Sequence, residues 1–399
     1  MAQTVVLFDR FGPYHVARLA AAARRTPLVG IEVYGESSEY AWDRVDSGAQ
    51  FGRVTLFPEA DARGVRRADV RRAVWDALGR IRPGAVALPG WSHPAALAAL
   101  AWCTGHGVPG IVMSESNAWD EVRDPRREWI KRRIVGQCRS GLVGGEGHRE
   151  YLASLGLPRE AIFLGYDAVD NDHFADGARR ARSAAAQVRA RLGLPERYWL
   201  ASARFVAKKN LPRLLQAFAN YRRGASSAPR DLVLIGDGEL RADVQSIRAE
   251  LGLNDCVHLP GFVQYEHLPE YYGLAEGFVH ASTVEQWGLV VNEALAAGLP
   301  VLVSQPCGCA AHLVEPQCNG AVFDPFDVDG LAARLQWLAE RSVGERESMG
   351  RHSERIIAEW GTQRFASGLE SAVQAARRAG GSPPSMLDRA LVWGLGQRA

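Results

Sequence analysis

The sequence has little of what would mark a metalloprotein, a polyanion binder or a membrane span. Its six cysteines and ten histidines include no Cys-x2-Cys pair and no His-Glu-x-x-His, so the usual spacing of a zinc site is missing and no metal is expected. Charge of one sign is missing too. With 47 Lys and Arg against 45 Asp and Glu, the net charge is +2, which removes a global electrostatic case for nucleic acid and makes any basic site local. The most apolar stretch, 85–103, is interrupted by Pro89, Gly90, Ser92, His93 and Pro94, as a strand, a turn and a helix would be, and this argues against a transmembrane segment. The amino terminus has no cationic stretch and only a short apolar run from Thr4 to Phe8, which predicts a buried strand rather than a signal peptide. Reduced thiols in a cytoplasmic protein are the simplest expectation.

What is present describes a globular chain of two or three domains. Hydrophobic residues make up 47% and charged residues 23% of 399 positions, against a length prior of about 150 residues per domain. Short apolar runs near Val5–Phe8, Leu28–Val33, Val54–Phe57, Ala85–Leu88, Ile111–Met113 and Leu142–Val143 alternate with helical patterns such as Val16–Arg25 and Val70–Ile81. That alternation predicts parallel strands joined by helices. The rhythm lapses in the Ala- and Arg-rich stretch 175–197. It resumes at Tyr198–Ala203, Leu232–Ile235, Val257–Leu259, Gly277–His280, Val301–Val303 and Ala321–Phe323. The expectation is α/β: two doubly wound Rossmann-like domains facing a cleft. Their expected ranges are 1–174 and 195–360, with 361–399 as a carboxyl-terminal helix and tail returning to the first domain. Within that tail, Gly380-Gly381-Ser382-Pro383-Pro384-Ser385 is a breaker cluster before a short apolar segment containing Trp393.

The chemistry concentrates in the second half. The segment Ser282-Thr283-Val284-Glu285-Gln286-Trp287-Gly288-Leu289-Val290-Val291-Asn292-Glu293 leads through Gly298-Leu299-Pro300-Val301 into the next strand. A loop glutamate at Glu285 can accept hydrogen bonds from sugar hydroxyls. Gly288 lets backbone amides, including those of Leu289 and Val290, approach a phosphate at a helix start. Glu293 lies one turn inside the helix and either reaches a ribose or is a helix residue exposed to solvent. This pattern of two glutamates, a helix-opening glycine and Gly-x-Pro-Val resembles the retaining glycosyltransferases of family four, the glycogen synthase-like group 1 enzymes with the two-domain GT-B fold. The resemblance implies that Glu285 contacts a donor sugar and Glu293 the ribose hydroxyls. Gln286 and Trp287 depart from the family's small-aromatic pair, and Ala281 stands where a proline is common.

Other blocks extend the resemblance. Ala203-Arg204-Phe205-Val206-Ala207-Lys208-Lys209-Asn210 looks like the family's Gly-Arg-Leu-x-x-x-Lys-Gly loop, with Arg204 and Lys209 as the matching cations. Two cations suit a departing nucleoside diphosphate. Leu232 to Leu240 contains Gly236-Asp237-Gly238 but has Arg241 where a dinucleotide fingerprint needs its third glycine. The pair either lies beside a diphosphate or makes a tight turn touching no ligand. Phe262 and Val263 are expected as walls of a base pocket. Cys307-Gly308-Cys309 falls in the family's glycine-rich loop, where packing near the donor sugar is preferred to a metal or redox pair. Asp170-x-Asp172 and Asp327-x-Asp329 read as helix caps rather than metal motifs.

In the first half the resemblance places Gly12 near the diphosphate. Tyr14, His15, His93, Glu115 and Ser116, all near strand ends, are candidates for acceptor contacts. Residues 123–133 hold six cations with Trp129, Ile130 and Ile134 as an apolar stripe: either a solvated helix or a peripheral contact with a membrane surface. The resemblance thus implies a metal-independent, retaining transfer of a hexosyl unit from a nucleotide diphosphate sugar to an acceptor hydroxyl on a glycan, glycolipid or natural product. No cofactor and no nucleic acid are expected. A nucleotide-sugar epimerase or hydrolase of the same fold, or a catalytically silent nucleotide-sugar binder, is the alternative.

Overall fold

A computed structural model describes residues 2–36, 42–43, 45, 50–224, 229–379 and 385–396. Residues 380–384 of the breaker cluster lie outside this set. The chain divides into two compact units, 1–168 with 361–399, and 169–360.

The first unit carries seven parallel strands: β1 (Thr4–Phe8), β2 (Leu28–Tyr34), β3 (Gly52–Phe57), β4 (Ala85–Pro89), β5 (Gly110–Ser114), β6 (Ser140–Val143) and β7 (Ile162–Leu164), in the order β3-β2-β1-β4-β5-β6-β7. Strand β1 shows why its apolar run is continuous. Val5 and Leu7 point into one core with Val74, Leu78 and Leu97, whereas Val6 and Phe8 point into another with Leu19, Phe365 and Leu369. Both faces are therefore covered, and each fully buried Val, Leu or Phe contributes about 1.5–3 kcal/mol. The second face is completed by the helix Thr362–Arg378, so 361–378 packs on the first unit. Strand β7 had no signal of its own, being three residues at the sheet edge.

The second unit holds β8 (Tyr198–Ser202), β9 (Asp231–Ile235), β10 (Val257–Gly261), β11 (Gly277–His280), β12 (Val301–Ser304) and β13 (Gly320–Phe323), all parallel, in the order β10-β9-β8-β11-β12-β13. The unit begins earlier than the composition shift suggested. The helix Asn171–Ser183 packs on Leu268–Leu274 through Phe174, whose ring meets Tyr272 edge-on at 5.7 Å. It interlocks where Gly177 faces Pro269 and Gly273 faces Ala178. Phe174 therefore belongs to the second unit, and the boundary falls at Ala168/Val169 rather than after Phe174. Asp170 and Asp327 are N-caps, accepting from His173 N at 3.2 Å and Gly330 N at 2.8 Å.

Each sheet reverses its strand order once, between β1 and β4 and between β8 and β11. In open parallel sheets the carboxyl ends of the two strands at such a reversal diverge and leave a crevice where ligands bind.

Candidate functional site

The reversal in the second sheet brings two loops together. After β8 the chain runs through Arg204 to a 3-10 turn, Ala207–Lys209. After β11 it runs through Ser282 to Glu285. Backbone bonds join them: Thr283 N donates to Lys208 O at 2.8 Å. Asn210, which sequence reasoning missed, fixes the turn. It adopts a left-handed φ of 58°, a conformation asparagine tolerates better than most residues, at the position where the resembled loop has glycine. Its amide donates to Ala281 O at 3.1 Å and Pro325 O at 2.7 Å.

The Lys209 ammonium is thereby held against the buried Glu285 in a partly buried ion pair, with Lys208 3.9 Å away. Glu285 Oε2 also accepts from Ser282 Oγ at 3.1 Å and lies 3.2 Å from His280 Nε2. Burial alone would raise the carboxyl's pKa, but the His280 hydrogen bond and the Lys209 charge outweigh it and hold Glu285 well below the usual carboxylate range. His280, fully enclosed, is pushed down by burial and up by its bonds to Cys307 and Glu285, with a net rise. His280 and Ser282 carried no signal in the sequence beyond ending a strand and opening a loop. Arg204, on the loop after β8, is exposed.

Gly288 caps the helix Leu289–Ala296 at φ 103°. A Cβ there would stand 2.8 Å from Cys307 Sγ, so glycine is required by both backbone and packing. The unusual Trp287 is buried, donates to Asn292 Oδ1 at 2.9 Å and packs in a cluster with His312 and Trp360, which also contact each other. Leu289 and Val290 are half-buried on the first turn. Glu293 is not a solvent-facing helix residue. It is fully buried, and its Oε2 accepts the Tyr272 hydroxyl at 2.6 Å.

Gly236 and Gly238 have φ of 126° and 155°. A Cβ on Gly236 would lie 1.8 Å from Ala203 O, and one on Gly238 2.7 Å from Phe205 O. Both glycines thus let the turn after β9 close on the Arg204 loop, which Phe205 N seals by donating to Asp237 O at 2.8 Å. Phe262 is exposed and Val263 half-buried at the end of β10.

The first sheet's reversal gathers a second group. Gly12 caps the helix Pro13–Ala23, and its N–H donates to His15 Nδ1 at 3.1 Å. Burial, with the nearby Arg18 cation, lowers the His15 pKa to about 3, so the ring is a neutral acceptor. Tyr14 meets Trp42 edge-on at 6.3 Å. Across the reversal His93 stands at the N-cap position of Pro94–His106 and pairs with Asp9. Glu115 is exposed after β5, and Ser116 N donates to Ser114 Oγ at 3.1 Å. Glu32, unanticipated, accepts from Phe11 N at 3.0 Å and from Arg53 and Thr55 at 2.7 Å each, and so fixes the loop that carries Gly12.

The cationic stretch 123–133 is less free than its composition suggests. Arg123 and Lys131 are tied to Asp120, Glu121, Glu128 and the Tyr151 hydroxyl. Of the stripe, Ile134 is buried and Trp129 is 47% exposed. Pro125–Val135 and Met386–Leu395 line an open groove of about 590 Å³ between Arg126, Trp129, Ile130, Leu391 and Leu395. Among the described residues no helix is long and apolar enough to cross a membrane. One set of three metal-ligating side chains among the described residues lies within reach of a common ion: Glu315 and Cys318, both exposed, and the half-buried His352.

Residues 186–355 match the family model of the glycosyl transferases group 1. That range contains the whole Lys209–Glu285 site, so the part of the second unit that holds it is similar to the glycosyl transferases group 1. Among curated proteins the chain is 28% identical over 246 residues to alpha-D-kanosaminyltransferase of Streptomyces kanamyceticus, covering 59% of this chain and 62% of that one. It is 31% identical over 223 residues to the GDP-mannose-dependent alpha-(1-6)-phosphatidylinositol monomannoside mannosyltransferase of Mycobacterium tuberculosis, covering 53% and 55%. The chain spans about half to three-fifths of the length of such relatives. Among solved structures, Anabaena HepE in complex with UDP covers 94% of this chain and all of its own at a TM-score of 0.71 and 14% identity. A glycosyltransferase from Rickettsia africae covers 95% and 99% at 0.73 and 10%. These likenesses bear out the fold expected from the resemblance: two Rossmann-like parallel α/β domains of the GT-B kind.

Proposed function

We propose that this chain is a retaining glycosyltransferase that moves a hexosyl unit from a nucleotide diphosphate sugar to an acceptor hydroxyl without a metal. The observation that carries this reading is the partly buried Lys209–Glu285 pair at the strand-order reversal of the region that matches the group 1 family model. In it Glu285, kept ionised, accepts hydrogen bonds from the donor sugar. Lys209 and Arg204, with the amides of Leu289 and Val290 at the helix start, stabilise the departing diphosphate. No carboxylate is assigned as a nucleophile. Retention then follows from attack of the acceptor on the face the diphosphate leaves, with a donor phosphate oxygen taking the acceptor's proton. Gly12 at the head of Pro13–Ala23 supplies a further amide end for the donor, and His93, Tyr14, Glu115 and Ser116 are assigned to the acceptor.

The relative named above as a GDP-mannose-dependent mannosyltransferase supports a sugar nucleotide as donor. The half-exposed Trp129 and Trp393, with exposed Arg126, Arg127 and Arg132 on the same helix as Trp129, support peripheral contact with an anionic membrane surface. The test is transfer itself. Incubation with sugar nucleotides and a panel of acceptors, read by mass spectrometry and anomeric NMR, is expected to give an α-linked product from an α-linked donor. Release of free sugar without acceptor dependence would instead assign hydrolysis.

A further inference from the structure

One buried feature of the site has no part in that scheme. Cys307 Sγ and Cys309 Sγ lie 3.4 Å apart, both buried, directly beneath the donor loop. Gly308 N donates to Glu285 O at 3.1 Å and Cys309 N to Trp287 O at 3.1 Å. Cys307 pairs with Glu285 as an isolated bridge, and its thiol donates to Trp287 O at 2.8 Å. Both sulfurs also press on Gly288. We propose that Cys307 and Cys309 form a reversible disulfide, made by hydrogen peroxide and undone by a dithiol, which switches the Glu285–Gly288 loop between two arrangements. The effect on transfer rests on the glycosyltransferase reading, but formation of the bond does not.

The surroundings select this pair. Burial raises the thiol of Cys307, but hydrogen bonds from Cys309 and His280 outweigh it and hold it below the ordinary thiol value, so the proton it donates to Trp287 O is given up more readily than an ordinary buried thiol's, and the thiolate so formed is the nucleophile. The buried thiols of Cys103, Cys138 and Cys256 are pushed up instead. The Cys307 thiolate attacks one peroxide oxygen: an S–O bond forms, the O–O bond breaks and hydroxide leaves. The Cys309 thiol then attacks the sulfenic sulfur, the S–S bond forms, the S–O bond breaks, and hydroxide leaves to take up the Cys309 proton as water. Two thiols and one peroxide thus give one disulfide and two waters. A dithiol reverses this by exchange and is itself oxidised to a disulfide.

The bond draws the sulfurs from 3.4 Å to about 2.05 Å. It removes the thiol donor from Trp287 O and the Cys307 partner from His280, which in turn touches Glu285. The floor under Glu285 and Gly288 must therefore shift.

The experiment uses the full chain with Cys318→Ser, which removes the exposed thiol. Reduced protein is treated with peroxide, alkylated with N-ethylmaleimide and digested. The peptide holding both cysteines is expected unalkylated and lighter by the two hydrogens lost, and alkylated again after dithiothreitol. Transfer is expected to fall by about fivefold or more and to recover with the dithiol, while Cys307→Ser, whatever its basal rate, keeps that rate with and without peroxide. Alkylation of both cysteines after peroxide would overturn the disulfide. An equal peroxide loss in Cys307→Ser would overturn the switch. If no donor gives transfer at all, the functional reading fails and the peptide mass still decides the disulfide.

Discussion

The Tyr272 hydroxyl donates to Glu293 Oε2 at 2.6 Å, with both side chains fully buried. Burial and the neighbouring Glu293 charge push the Tyr272 phenol well above its ordinary value, so it remains a donor throughout the accessible pH range. The pair ties the helix Leu289–Ala296, which begins at Gly288, to the helix Leu268–Leu274, which holds Phe174.

Tyr272→Phe leaves a buried carboxylate short of a donor. The expected cost is about 1–3 kcal/mol, read by urea unfolding, together with weaker nucleotide binding if Glu293 orders the ribose end of the site. Unchanged stability and binding would show that the bond does neither.

Much of this arrangement was legible beforehand. The continuous apolar strands, the glycine at the head of Leu289–Ala296 and the spacing of Glu285 and Glu293 are local features, and the structure places each on the expected kind of element. What escaped depends on long-range packing. Asn210 meets Pro325 across the sheet, His280 is only a strand end until Glu285 and Cys307 fold over it, and Tyr272 looks like any apolar helix residue until Glu293 faces it. The boundary near Phe174 was misplaced for the same reason: its ring packs against Tyr265 and Tyr272, roughly a hundred positions away.

Gly236→Ala separates two roles for the turn after β9. The added methyl would clash with Ala203 O at a φ no alanine favours, costing about 1–3 kcal/mol. Thermal melts are expected to drop by a similar amount with and without nucleotide. A loss of nucleotide affinity at unchanged stability would assign the glycine to the phosphate instead.

The ion cluster predicts a stability optimum. Glu285 has a depressed folded value, so its contribution is complete above the ordinary 4.5 and is lost as pH falls below it. His280 has a raised value, so its contribution is complete below 6.5 and is lost as pH rises through its raised value. Glu285→Gln is expected to flatten the acid side of a plot of unfolding free energy against pH. An unaltered acid limb would remove Glu285 from that role.

Membrane contact is checked by sedimentation with vesicles of phosphatidylglycerol and phosphatidylcholine. Binding is expected to need the anionic lipid, to weaken with salt, and to fall by about 1 kcal/mol for each of Arg126→Ala and Arg127→Ala. Equal binding to neutral vesicles, or none to anionic ones, would contradict it.

The most direct test measures kcat and donor affinity for wild type and Lys209→Ala, after a thermal-shift panel of uridine, guanosine, thymidine and adenosine diphosphates and their sugar conjugates has identified the donor. One nucleotide is expected to stabilise the wild type by about 2.7 kcal/mol at a hundredfold excess over its dissociation constant. With it, Lys209→Ala is expected to lose about 10²–10³ in kcat, the loss typical for one donor that stabilises developing negative charge. Near-normal transfer by Lys209→Ala would contradict the role given to the Lys209–Glu285 pair, and with it the central claim.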